Sequence, residues 1–440
     1  MSGPPGKSIA RGWASHVGRL KVLLVGGGGR EHALAWRVAA SPLVDALYAA
    51  PGNPGIARHA RCLPIPVDDH EAIVSFAARE RIDLTIIGPE VPLVAGLWDA
   101  LAARGLLALG PSARAAAIEG SKAFAKDLMA RQGIPTAAYA TFSDPAAARA
   151  YCRQLGAPLV VKADGLAAGK GAILCPTLAD ADEAIALCME PRGFGAAGDT
   201  VVVEEFLRGE EISFFAVASG VEVVPLAVAQ DHKTVFDDDR GPNTGGMGAY
   251  SPVARVDAPL ARRIMETIVT PTIQALALEG APYRGVLFTG LMLTTEGPKV
   301  IEFNCRFGDP ECQAILAAAG DDVLPLLLAA ARGEALPVPG GVARHAVCVA
   351  IASGGYPGTY RTGLPIEGID AAERREGVRV FHAGTAERDG KLVTAGGRVL
   401  GVTGTGDDLA TAVARAYAAV GDIHFEGMHF RRDIGRRGLQ

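Results

Sequence analysis

The chain has 440 residues, of which 49% are hydrophobic and 21% charged. That is an ordinary globular balance, long enough for two to four domains at roughly 100–200 residues each. The formal net charge of −5 at pH 7 argues against a protein that grips nucleic acid, which needs a basic face; small anionic ligands need only local positive groups.

Residues 1–20 hold no apolar core like that of a signal peptide and read as a flexible extension, with an organelle transit segment as the alternative. KVLLV (21–25) is a short apolar run ending in four glycines, and a helix is predicted from Arg30 to Ala40. A strand at Ala46–Ala49, a helix near Glu71–Arg81 and a strand at Leu84–Ile87 follow. This alternation predicts a parallel α/β domain over 21–120.

A second unit, 121–340, opens with a helix at Ser121–Gln132. It continues through a strand at Pro158–Lys162 and a helix at Leu178–Met189. From Val201 the β-branched runs VVVEEFL, EISFFAVAS and VEVVPLAVA lie between short turns, which suits an antiparallel sheet. A long helix is predicted over Leu260–Leu278, then strands at Gly285–Thr294 and Lys299–Phe303. The tail, 341–440, predicts strands at His345–Ala352 and Arg398–Thr403 and a helix near Leu409–Val420, a small β-rich α+β domain.

Seven cysteines are scattered without a CxxC pair, so reduced thiols in a cytoplasmic protein are expected rather than disulfides or zinc. No apolar run reaches the roughly 18 residues that span a bilayer, so no membrane partner is expected.

Two glycine-rich loops stand out. VGGGGREHA follows a strand, but Glu31 occupies the third glycine position of a dinucleotide fingerprint, and Ala49, Ala50 and Pro51 stand where its acid should be. The loop physics survives the failed motif: glycines let backbone N–H groups meet an anion at a helix start. A ligand-free turn is the alternative. The loop from Gly165 to Gly171 contains Gly169 and Lys170. It is not a P-loop, because Asp164 and Gly171 stand where Gly and Ser or Thr are required. A glycine-rich hairpin bearing a lysine can close over a triphosphate; an exposed turn is the bland reading.

Lys122 at a helix start, Lys162 at a strand end, Glu204 and Glu205 before Leu207, Glu211, Lys233, and Glu302 two residues before Asn304 follow in order. Period-two geometry puts Glu302 and Asn304 on one strand face, and such oxygen ligands suit Mg2+ on nucleotide phosphates.

This order resembles the ATP-grasp superfamily. The runs GGGGREHALAW, PGNPG, IDLTIIGPEVPLV, EGSKAFAK, VVKADGLAAGKG, VEEFLRGEE, QDHK, GPNTGGMGAYSP, VIEFNCRFGDPE, ASGGYPG, FHAGT and GGRVLGVT lie in this order between Lys21 and Ile434. They resemble the glycinamide ribonucleotide synthetase family. The resemblance implies an ATP-grasp core with a lid over about 137–200. Adenine would meet the backbone of Glu205 and Leu207 and the side chain of Glu204. Glu211 would bind ribose, and Lys122 and Lys162 the α/β phosphates. Lys233 would reach the γ-phosphate, the 165–171 hairpin (with Gly169, Lys170 and Gly171) would close the lid, and Glu302 and Asn304 would hold Mg2+ or Mn2+. Gly290 stands where many ATP-grasp enzymes carry a further metal-binding acid, so a second ion would rely on phosphates and water.

The implied reaction joins glycine to 5-phosphoribosylamine at the expense of ATP through glycyl phosphate. Lys233 and Arg306 are the expected catalytic cations. Arg306 either clamps the glycine carboxylate or pairs with Asp309 or Glu311. PNTGGMG (242–248), with Asn243, Gly245 and Gly246, is expected to line the pocket with backbone N–H groups. The 5-phosphate is expected on Gly28, Gly29, Arg30 and Glu31, with Asp309 nearby. His232 is either structural or at the substrate, Cys305 is expected to pack, and the chain is expected to act as a monomer. The rivals are another ATP-grasp ligase or a biotin-dependent carboxylase, a regulatory nucleotide binder and a dehydrogenase.

Overall fold

The run LKVLLVG shows no apolar–polar alternation because it is covered on both faces. In the structure, a computed structural model that describes residues 19–166, 171–189 and 195–440, it forms β1 (Leu20–Gly26). Leu20 is buried, so ordered structure begins inside the expected extension, whose residues 1–18 lie outside the described ones. With β2 (Val44–Pro51), β3 (Arg61–Cys62), β4 (Leu84–Ile87) and β5 (Ala108–Leu109) it makes a parallel sheet, order β3-β2-β1-β4-β5. Helix Gly29–Ala39 starts directly after the glycine loop. Asp69 caps helix His70–Glu80, which Arg81 ends in the left-handed region.

The next sheet contains β6 (Tyr139–Phe142), β7 (Leu159–Ala163), β8 (Ala172–Cys175) and β9 (Val201–Glu205), in the order β6-β9-β7-β8. Every pairing is antiparallel, although strands and helices alternate along the chain. Helices Pro145–Leu155 and Leu178–Met189 pack on it around Ala148, Cys152, Val161, Ile185 and Val203. This small core is separate from the two large ones, which suits a unit that moves as one body.

β10 (Glu210–Gly220), β11 (Glu222–Asp231), β12 (Thr234–Phe236), β13 (Arg240–Asn243), β14 (Gly248–Ser251), β15 (Tyr283–Thr294) and β16 (Gly297–Asn304) follow. The helix expected over 260–278 forms from Ala258 to Leu278 with a π-turn at Met265–Val269. Pro271, which has no N–H to donate back into that turn, follows it.

The tail contributes β17 (His345–Ala352), β18 (Val378–His382), β19 (Thr385–Arg388), β20 (Lys391–Thr394) and β21 (Arg398–Gly406). Three of these strands do not build a sheet of their own. One antiparallel sheet runs β16-β15-β10-β11-β14-β17-β21-β18, because β17 pairs with the edge that β14 would otherwise leave open. Helix Glu311–Ala318 is buried almost all round. It packs against helix Gly29–Ala39 and against β11, β14 and β17, bringing the first glycine loop, the turn after β16 and the tail strands to one place.

Candidate active site

A cleft of about 730 Å3 runs between the small antiparallel sheet and the eight-stranded sheet. Its first end is rich in lysine. Period-two geometry in β9 sends Val201 and Val203 into the small sheet's core and Glu204 to the opposite face. There the Glu204 carboxylate meets two ammonium groups, Lys126 Nζ at 2.9 Å and Lys162 Nζ at 2.9 Å. All three side chains are buried. Two cations against one anion leave a net positive charge away from water, where charge acts strongly. Burial pulls Lys126 down to about 8 even with Glu204 beside it. Lys162 also donates to Ile301 O (3.0 Å), tying β7 to β16.

Lys122 Nζ donates to Gly165 O (2.8 Å), linking a helix start to the hairpin loop. Asp164, the residue that breaks the P-loop pattern, has a local task. Its carboxylate accepts from Ser121 Oγ (3.0 Å) and Ala123 N (2.9 Å), capping helix Lys122–Gln132. Gly165, Leu166 and Gly171 line the cleft. Gly169 and Lys170 lie outside the described residues.

At the edge where adenine is expected, Glu205 N donates to Ala138 O (2.9 Å) and the Glu205 carboxylate accepts from Ala138 N (3.0 Å). Leu207 lies past the strand end and lines the cleft. The Glu204 side chain, expected to face a base, is held by the two lysines.

Glu302 and Asn304 sit two apart on β16 and both line the cleft. Burial would raise the Glu302 carboxyl, but Lys233, Lys162 and Lys122 outweigh it and hold it at about 2. Lys233 Nζ pairs with Glu211 and lies 3.5 Å from Glu302 Oε1. Gly290 stands opposite Glu302 in the register, and a Cβ there would lie 3.3 Å from Glu302 Cγ.

Arg306 follows the Glu-x-Asn strand. Neither expected partner holds it. Its guanidinium donates to Glu90 Oε2 (3.1 Å), Glu119 Oε1 (2.9 Å) and Asn304 Oδ1 (3.1 Å). Burial would lower it, yet the two glutamates keep it firmly cationic. They come from two helices of the first unit, Glu90–Val94 and Ala113–Gly120, so one arginine joins that unit to β16.

At the far end the amides expected to meet substrate have partners within the protein. Gly28 N donates to Glu31 Oε2 (2.8 Å) and Arg30 N to Asp309 Oδ2 (3.1 Å). Carboxylates thus occupy the helix start where a phosphate was expected, and of Gly28, Gly29, Arg30 and Glu31 only Arg30 lines the cleft. In the 242–248 loop, Gly245 N donates to Tyr356 Oη (3.1 Å), Gly246 N to Thr244 Oγ1 (2.9 Å) and Met247 N to His232 O (2.8 Å). Those amides serve the loop itself, although Asn243, Thr244 and Gly245 do line the cleft. Gly246 has φ +111°, and a Cβ there would lie 2.5 Å from Pro310 Cδ, so only glycine fits. Arg398 donates to Gly245 O (2.7 Å) and lies 3.5 Å from Asp309 Oδ1. Burial raises Asp309, but Arg398 and Arg30 bring it below its usual value.

His232 is buried, its Nδ1 meets Gly248 O (3.3 Å) and it does not line the cleft. Cys305 is buried as expected, and all seven cysteines are free. Sequence reasoning missed Lys126, Glu90, Glu119, Tyr356 and Arg398. Lys126 had a signal, one helical turn beyond Lys122 and on the same face. The others lay inside quoted motifs, but nothing local indicated their partners.

Among the described residues no helix is long and apolar enough to cross a membrane. Three family models match the chain in order. They are the phosphoribosylglycinamide synthetase N domain at residues 20–119, its ATP-grasp (A) domain at 120–312 and its C domain at 346–437. A phosphoribosylamine–glycine ligase of Agrobacterium fabrum is 53% identical over 421 residues, covering 96% of this chain and 99% of the relative. The solved phosphoribosylamine–glycine ligase of Thermotoga maritima superposes with a TM-score of 0.83 at 34% identity, covering 94% of this chain and 100% of that one. A biotin carboxylase domain from Hydrogenobacter thermophilus, solved with MgADP, shares the fold (TM-score 0.72, 18% identity, covering 94% of this chain and 92% of that one). By this succession of three domains and by the cleft they enclose, the chain belongs to the phosphoribosylglycinamide synthetase family.

Proposed function

We propose that the chain joins glycine to 5-phosphoribosylamine, giving glycinamide ribonucleotide, ADP and phosphate, as a step of purine biosynthesis. The observation that carries this reading is the continuity of the cleft. One cavity joins a lysine-rich end that suits a triphosphate to an end lined by Arg30, Arg306 and Arg398, within a chain of this family.

A carboxylate cannot form an amide while its leaving group is oxide. In the proposed first step a glycine carboxylate oxygen attacks the γ-phosphorus, the bond to ADP breaks and glycyl phosphate forms. In the second, the amine of phosphoribosylamine attacks the acyl carbon, phosphate leaves and the amine gives up a proton. Positioning and fixed charge supply most of the catalysis. Lys122 and Lys162 hold the α/β phosphates, the Glu205 carbonyl and Leu207 N–H read adenine, and Glu211 faces the ribose. Lys233 meets the moving phosphoryl group and Arg306 the acyl phosphate. Arg30 and Arg398 face the 5-phosphate end, where the glycine loop's own amides are already engaged.

Glu302 and Asn304 fit a divalent cation. They are an ionised carboxylate and an amide oxygen on one strand face, ringed by the lysines that would flank phosphates. Mg2+ or Mn2+ bound there would neutralise charge on the phosphates.

The test is ADP release with ATP and Mg2+, adding glycine and phosphoribosylamine singly and together, the latter made in situ from ribose 5-phosphate and ammonia. Release that needs both, with a product of glycinamide ribonucleotide mass, is expected. Chelating the metal should stop it and Mg2+ or Mn2+ restore it. Release that depends on a different acid and amine would keep the nucleotide site and discard this substrate pair.

A further inference from the structure

Asp231 ends β11 and is only 7% exposed. Its carboxylate lines the cleft, yet the donors around it are committed elsewhere. Lys233 pairs with Glu211 and Glu302, and Ser213 Oγ donates to Glu311 Oε1 (3.2 Å). Among the described residues the Asp231 side chain has no hydrogen bond and no ion pair. A buried carboxylate without a partner is costly, and in a functional cleft such an atom points to a ligand group that completes it.

Glu311, buried at the start of helix Glu311–Ala318, also lines the cleft. Burial pushes the Asp231 carboxyl well up although Lys233 pulls it back, and Glu311 adds to the rise. The two acids therefore ask for positive charge. Lys233 stands two residues beyond Asp231, beside Glu302, where a carboxylate attacking the γ-phosphate has to arrive. In glycine a single carbon separates the carboxylate from an amino group that is an ammonium at neutral pH.

We infer that Asp231, backed by Glu311, forms an ammonium subsite that takes the α-ammonium of glycine while Lys233 and Arg306 face its carboxylate. The inference rests on glycine being the acid substrate. It gives the site two properties. Acids of the same size without the ammonium, such as acetate and glycolate, leave Asp231 unpaired and are rejected. A glycine nitrogen held as ammonium also has no lone pair, so it cannot be acylated in place of the phosphoribosylamine nitrogen.

The test compares the unmodified chain with Asp231→Asn. The KM for glycine should rise on the order of 10- to 100-fold, as for loss of a charge-assisted hydrogen bond in a buried site. The KM values for ATP and phosphoribosylamine should stay within about twofold. The preference for glycine over glycolate in driving ADP release should fall toward unity. An unchanged glycine KM overturns the subsite. So does a rise confined to phosphoribosylamine, which would give Asp231 to the other amine. Should Asp231→Asn fail to fold, the unmodified chain decides. Acetate and glycolate must then compete with glycine at least about tenfold more weakly than glycine binds, and equal competition overturns the inference. A chain that releases no ADP with glycine and phosphoribosylamine fails at the reaction itself, before any variant is made.

Discussion

Replacing Glu302 by Ala is expected to lower kcat by about a thousandfold or more while the chain keeps its fold. A carboxylate that holds a metal on transferring phosphates acts mainly in the transition state, where charge moves between oxygens. Its removal therefore appears in kcat more than in substrate KM. The fold survives because Glu302 lines an open cleft and Lys233 keeps Glu211 as its partner. Circular dichroism and thermal melting check the fold, and coupled ADP release checks turnover. A variant that still linked ATP hydrolysis to ligation at a near-normal rate would remove Glu302 from the metal site.

The second large effect concerns stability. Glu204→Ala strips Lys126 and Lys162 of the carboxylate they share, both at 2.9 Å and all three buried. Breaking a buried ionic group by removing one partner costs about 3–5 kcal/mol, because it leaves uncompensated charge away from water. The two ammonium groups would also repel each other. We expect the unfolding transition of the ATP domain to move to clearly lower denaturant concentration. Lys162→Ala should be milder in stability, since Lys126 still pairs with Glu204. Its ATP KM should nonetheless rise on the order of tenfold or more, as for a lost charge-assisted phosphate contact. An unchanged melt for Glu204→Ala would mean that the lysines find other partners. An unchanged ATP KM for Lys162→Ala would take that residue out of the phosphate site.

These variants probe the two anchors of one design. The small sheet brings Glu204 and Lys162, and β16 brings Glu302 and Asn304. The Lys162–Ile301 hydrogen bond is the bridge between them. On the far side, Arg306 ties Glu90 and Glu119 to Asn304, so β16 is braced from the first unit. The nucleotide end and the substrate end are thereby held in register although their residues lie far apart in sequence.

Much of this was legible along the chain. The strand Leu84–Ile87 and the helix Leu409–Val420 fell where periodicity put them, because burial on one or both faces writes its period into the residues that serve it. Glu302 and Asn304 were legible as a pair, since alternation in a strand is local geometry. The order of lysines, acids and glycine loops carried the family and its chemistry. What only the tertiary structure decided are the meetings of distant groups. Asp309 takes the helix start that the glycine loop offered to a phosphate. Arg306 finds Glu90 and Glu119 rather than its sequence neighbours, and Lys126 joins Lys162 on Glu204. The tail strands β17, β21 and β18 extend the central sheet through β14. In each case the partner is chosen by packing between elements, and a charge or a sheet edge carries no local mark of the group that will satisfy it.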